Sequence, residues 1–151
     1  AVVYVAWTAD GARLMRHDVL AGTTRALTTQ GAASSPTPSP DGRLVAYTSN
    51  GNELRVVNAD GTNDRLLARG IFGRAPFDGG RVMAWSPDNQ WVAFLTRGER
   101  GFTNAHVVPA AGGTARPVSF QGSSNAGDLW WHPDGRALYF LTNQRTEASR
   151  L

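Results

Sequence analysis

A four-residue turn returns three times in this chain, and it constrains the fold more than any other feature. Ser39-Pro40-Asp41-Gly42 feeds the alternating run Arg43-Leu44-Val45-Ala46-Tyr47-Thr48. Pro presets φ for the start of a turn, Asp bonds the backbone two residues on, and Gly accepts φ > 0. The pattern recurs as Ser86-Pro87-Asp88-Asn89 before Trp91-Val92-Ala93-Phe94, and as His132-Pro133-Asp134-Gly135 before Ala137-Leu138-Tyr139-Phe140. Asp41, Asp88 and Asp134 stand 47 and then 46 residues apart, so the chain is built of tandem structural repeats. Pro40, Asp41, Gly42, Pro87, Asp88, Pro133, Asp134 and Gly135 are read as structural turn residues, with no acid or base role for the carboxylates.

One unit parses in full. Strand a runs from Ser34 to Ser39, b from Leu44 to Ser49, c from Glu53 to Asn58 and d from Asp64 to Ala68, with Ala59-Asp60-Gly61-Thr62 turning between c and d. Four short antiparallel strands in roughly 45 residues are the signature of a β-propeller blade. The next unit places a at Val82 to Trp85, b at Trp91 to Thr96, c at Ala105 to Pro109 and d at Thr114 to Ser119. The last places a at Leu129 to Trp131 and b at Ala137 to Thr142. At the start, Val2 to Thr8 aligns without a gap on Gly42 to Thr48, and Asp10-Gly11 falls against Asn50-Gly51. Trp7 thereby lands on Tyr47, Leu14 on Leu54 and Arg25 on Arg65, so the first unit enters on its strand b. The expected fold is all-β: a single propeller piece over 1–151, in units 1–32, 33–69, 81–120 and 128–151. About three and a quarter blades in an open ring leave a blade face unpaired at each end. The remaining blades of a longer chain, or a second copy, would cover them.

Pro36, Pro38 and Pro40 are spaced by two, so their missing N–H groups share one strand edge. Only a strand with an open edge tolerates that. This places strand a on the central channel. The Trp and Phe residues at repeating positions read as packing between blades.

Chemistry is sparse. No Cys is present, which excludes disulfides, thiolate metal sites and a Cys nucleophile. His17, His106 and His132 share no metal spacing, and the repeat alignment sets the first two one residue apart in strand c, on opposite faces. Asp78, Asp88 and Asp128 lack the ligand density of a Ca²⁺ loop. No Gly-x-Ser-x-Gly elbow exists, and Gly122-Ser123-Ser124-Asn125 reads as a loop. No catalytic residue, metal or cofactor is expected within these residues. All 15 basic residues are Arg, but they are scattered, which argues against a nucleic-acid partner. No apolar run nears the ~20 residues of a membrane-spanning helix, so no membrane insertion is expected.

Loop length is what varies between units. The d–a connection after Leu67 and the b–c loop Arg97-Gly98-Glu99-Arg100-Gly101-Phe102-Thr103 are both elongated, and both emerge on one side of the disc. That side collects Arg69, Phe72, Arg74, Phe77, Arg81, Arg97, Arg100 and Phe102, the candidate ligand-binding residues. Guanidinium forks onto carboxylates, and Phe supplies an apolar wall.

The stretches 39–50 and 54–62 resemble the TolB-type propeller repeat. The stretch from Val107-Val108-Pro109-Ala110-Ala111-Gly112-Gly113 through Ala115-Arg116-Pro117-Val118-Ser119-Phe120 to Gln144-Arg145-Thr146-Glu147 resembles the N-terminal propellers of tricorn-type serine peptidases and their bacterial relatives. Asn89, His132, Pro36 and Pro38 depart from the repeat pattern. The resemblance implies a non-catalytic module that binds or gates peptide or protein, in the periplasm or outside the cell, its signal segment lying outside this piece. A second implication is the substrate-gating propeller of a larger tricorn-type peptidase or related hydrolase, whose catalytic domain would lie elsewhere in the chain.

Overall fold

The computed structural model describes residues 1–72, 81–122 and 126–142. Among them the chain forms thirteen strands and no helix. The first antiparallel sheet joins β1 (Val2–Thr8), β2 (Gly11–Asp18) and β3 (Thr23–Ala26). The second joins β4 (Ala33–Pro38), β5 (Leu44–Ser49), β6 (Glu53–Asn58) and β7 (Arg65–Arg69). The third joins β8 (Met83–Trp85), β9 (Trp91–Arg97), β10 (Thr103–Pro109) and β11 (Arg116–Pro117). The fourth holds β12 (Ala126–Trp131) and β13 (Leu138–Thr142). Each sheet is an up-and-down meander in sequence order, because tight turns allow only antiparallel neighbours.

Pairing follows from the turns. Gly42 N–H bonds Ser39 O at 2.9 Å, and Gly42 takes φ 71°; the same bond joins Asn89 to Ser86 and Gly135 to His132, at φ 61° and 73°. In each case the Asp carboxylate accepts the N–H two residues on, from Arg43, Gln90 and Arg136. Ser39 and Ser86 hydroxyls add a second clasp, donating to Asp41 and Asp88 while accepting the N–H of Leu44 and Trp91. At the third turn His132 Nδ1 stands 2.7 Å from Asp134 Oδ1 instead.

The sheets stack face to face through three clusters. Leu14 and Leu27 of the first meet Ala33, Val45, Tyr47 and Val57 of the second. Leu54, Val56, Leu67 and Phe72 meet Met83, Trp85, Val92, Phe94 and Val108 of the third. Ala84, Ala93, Leu95 and Ala105 meet Leu129 of the fourth, with Trp131, Leu138 and Phe140 packed around it. Strand alternation sends successive residues to opposite neighbours, so one strand feeds two seams.

The first sheet corrects the gapless alignment. Tyr4 pairs with Met15 as Tyr47 pairs with Arg55, while Met15 pairs with Ala26 as Arg55 pairs with Leu66. Tyr4, not Trp7, is thus the counterpart of Tyr47, and the β1–β2 hairpin runs three residues longer than its equivalent. Trp7 is 81% exposed where Tyr47 is 1% exposed. Ala6-Trp7-Thr8 imitates Ala46-Tyr47-Thr48, and the imitation hid the longer hairpin. The histidines need a correction too. His17 pairs with Val2 and His106 with Phe94, which sets them two positions apart on equivalent faces.

Candidate functional site

The elongated connections do meet. Gly70 and Phe72 N–H groups bond Asn52 O and Gly51 O at 3.0 Å each, and Ile71 forms an antiparallel bridge with Arg97. Gly70 is required there, since a Cβ would collide with Thr96. This pins the start of the d–a connection against the b–c side of two neighbouring sheets.

The candidate residues fall into different settings. Phe72 is not part of an exposed wall: it is 7% exposed and packs on Phe94, ring centroids 5.8 Å apart. Burial of an aromatic ring outweighs the polar setting of its loop. Arg69 is exposed but holds Glu53 at 2.9 Å, and Arg97 donates Nε to Gly101 O at 2.7 Å, closing its own loop. Arg100 is exposed and Phe102 half-buried. Arg74, Phe77 and Asp78 lie outside the described residues. Asp128 Oδ1 accepts the Arg81 N–H at 2.7 Å, and Asp88 serves its turn. Among the described residues no three His, Cys, Asp or Glu side chains gather as a metal site.

A different surface stands out. The inner strands β4, β8 and β12 line a concavity of about 820 Å³. Pro36 and Pro38 come from β4, Met83 and Trp85 from β8, and Trp130 and Trp131 from β12; Arg81 lies at one end, and Pro40, Pro87 and Pro133 at the other. Two indoles lock this wall across the blades. Trp85 Nε1 donates to Thr37 O at 2.8 Å, and Trp131 Nε1 donates to Ala84 O at 3.2 Å. Pro38 holds the equivalent place in β4, since it pairs with Val45 as Trp85 pairs with Val92 and Trp131 with Leu138. The tryptophans were legible as packing residues only. Their role on the wall was signalled by the prolines, which marked strand a as channel-facing in one unit and hence in all.

No family model matches the chain. It is 31% identical over 104 residues to a tricorn-like protease C-terminal subunit of Sulfurisphaera tokodaii, spanning 69% of this chain and 11% of that protein. It is 34% identical over 109 residues to the Tol-Pal system protein TolB of Gluconobacter oxydans, spanning 68% of this chain and 23% of that one. The crystal structure of the tricorn protease superposes with a TM-score of 0.74 at 16% identity, over 93% of this chain and 14% of that one. The fold is a TolB-like β-propeller, open rather than closed. The chain spans about a ninth and a quarter of the lengths of these two relatives. In this TolB-like propeller the concavity is therefore the channel wall, formed by strand a of three blades.

Proposed function

We propose that the chain is a non-catalytic binding module that takes up an extended peptide or protein segment along its inner wall. The 820 Å³ concavity carries this reading. Ligand sites are concave, largely apolar and marked by a few polar groups, and this wall combines three indoles and a file of prolines with Arg81 at its rim. The loop face, with Arg69, Arg81, Arg100 and Phe102, is the rim over which such a segment arrives. Partners of the peptide or protein class, and a periplasmic or extracellular setting, are inferred from the likeness to TolB.

A second reading has its own support. The likeness to a tricorn-like subunit and to the tricorn protease fold favours a propeller that meters substrate into a larger peptidase. Under either reading the wall contacts polypeptide. The test is capture of peptides from a tryptic digest of casein by the immobilised chain. Arg81→Ala with Trp130→Ala should reduce capture about tenfold, the scale of a lost charged or aromatic anchor. Arg97→Ala with Arg100→Ala should change it less. A larger loss from the second pair would move the site to the loop face.

A further inference from the structure

The turn side of the disc carries a second concavity, separate from the inner wall. It is an open groove of about 680 Å³ where the first three sheets meet. Three guanidinium groups line it from separate elements: Arg16 on β2, Arg25 on β3, and Arg43 just past the Asp41 turn. Two carboxylates, Asp41 and Asp60, line it as well.

The carboxylates are occupied by their own turns. Asp41 accepts from the Ser39 hydroxyl and the Arg43 N–H, and Asp60 from the Thr62 hydroxyl and N–H. These bonds, the hydroxyls first, hold both groups below the usual carboxylate range. The guanidiniums are less engaged. Arg25 gives one N–H to Ala59 O at 2.8 Å. Arg16 and Arg43 stand 3.8 and 3.9 Å from the carboxylates of Asp18 and Asp41, too far for hydrogen bonds. With five N–H donors on each guanidinium, the groove holds more donors than its acceptors use.

Asn89 adds to that excess. It replaces Gly in a turn position at φ 61°, a conformation that Gly adopts at no steric cost. Its Oδ1 accepts the Asp41 N–H at 3.2 Å across two sheets, which leaves the amide Nδ2 as a donor on the groove.

We propose that this groove docks an acidic peptide segment, with Arg16, Arg25 and Arg43 receiving its carboxylates and the Asn89 amide its main chain. The guanidiniums are spread over three elements rather than converging on one point, which suits successive carboxylates along an extended chain better than a single small anion. Guanidinium matches carboxylate in a two-point fork. The site is independent of the inner wall.

Titration of the 151-residue chain with a fluorescein-labelled hexaglutamate peptide, read by anisotropy, tests the proposal. Binding should saturate and weaken with salt. Arg16→Ala with Arg43→Ala should weaken it about tenfold or more, the scale of a lost charge-assisted pair. Arg116→Ala with Arg136→Ala removes the same charge outside both concavities and should leave it within about twofold. The Arg43 side chain is 85% exposed, so Arg43→Ala alone, with an unchanged melting profile, gives the same reading without a folding defect. Equal losses in the two pairs, or no saturable binding, would overturn the site. Tighter binding of a sulfated oligosaccharide than of the peptide would overturn the ligand class.

Discussion

Between the second and third sheets, Phe94 stacks on His106 with centroids 5.5 Å apart and meets Phe72 from across the seam. Between the first and second, the same repeat positions hold Tyr47 and Arg55. Tyr47 is as buried as Phe94, yet its hydroxyl donates to Asp64 Oδ2 at 2.8 Å. Arg55 binds Asp64 and Glu53 at 3.1 and 3.0 Å, and Glu53 binds Arg69. Burial alone would pull the Arg55 guanidinium down, but these hydrogen bonds outweigh it and keep the charge. Burial first, then the Asp64 bond, pushes the Tyr47 phenol up, so it stays protonated and donating. The repeat demands a large ring at this place on strand b. What the ring carries is free to vary, provided that a polar tip finds partners near the solvent edge of the seam.

The largest expected effect lies in the apolar seam. Phe94→Ala should destabilise by about 3–5 kcal/mol, measured by urea unfolding, because it leaves a cavity among Phe72, Met83 and Val108. A loss no larger than that of a single hydrogen bond would mean that the two seams are not differently built. Tyr47→Phe should cost about 1 kcal/mol, since Asp64 keeps Arg55 and partial access to water. A double-mutant cycle with Asp64→Asn should show coupling between the two positions; additive losses would remove the hydroxyl–carboxylate link.

The smallest effect is common to both seams. Asp41 is held low by the Ser39 hydroxyl and Arg43 N–H, Asp88 by the Ser86 hydroxyl and Gln90 N–H, and Asp134 by the Arg136 N–H and His132. A folded value below the unfolded one stabilises fully above the unfolded value of about 3.9 and loses that contribution as pH falls through the folded value. The melting midpoint should therefore be level from neutral pH to about pH 5 and decline below about pH 4. Asp41→Asn with Asp88→Asn should make that decline shallower. An unchanged acid limb would assign the pH dependence to groups outside the turns.

Much of the fold was legible because turn chemistry is local. The predicted bounds of β5 and β6 are those found, and the repeat spacing located every sheet. Register was less legible, as Trp7 shows, because a strand of alternating apolar residues matches its neighbour at more than one offset. Strand d of the third sheet shrank from the expected Thr114 to Ser119 to Arg116–Pro117, since Pro117 has no N–H for the ladder. The candidate surfaces were least legible. Loop composition pointed to Phe72, but a side chain's destination depends on which seam lies beneath it. The inner wall assembles from strands one repeat apart, and the turn-side groove from Arg16, Arg25, Arg43 and Asn89 on three sheets, and no local pattern records that proximity.

The indole bonds along the inner wall have a consequence for how the units are joined. Trp85 and Trp131 each belong to one unit and grip the carbonyl of the unit before it. Each unit thus brings its own fastener on this wall, and what it grips is backbone. This one part of the joint is therefore indifferent to the side chains that the neighbour's inner strand presents, while the apolar seam behind it is not. Pro38 is the exception: it has no side-chain donor, so the joint to the unit before it is left to the apolar seam of Leu14, Leu27, Val45 and Tyr47.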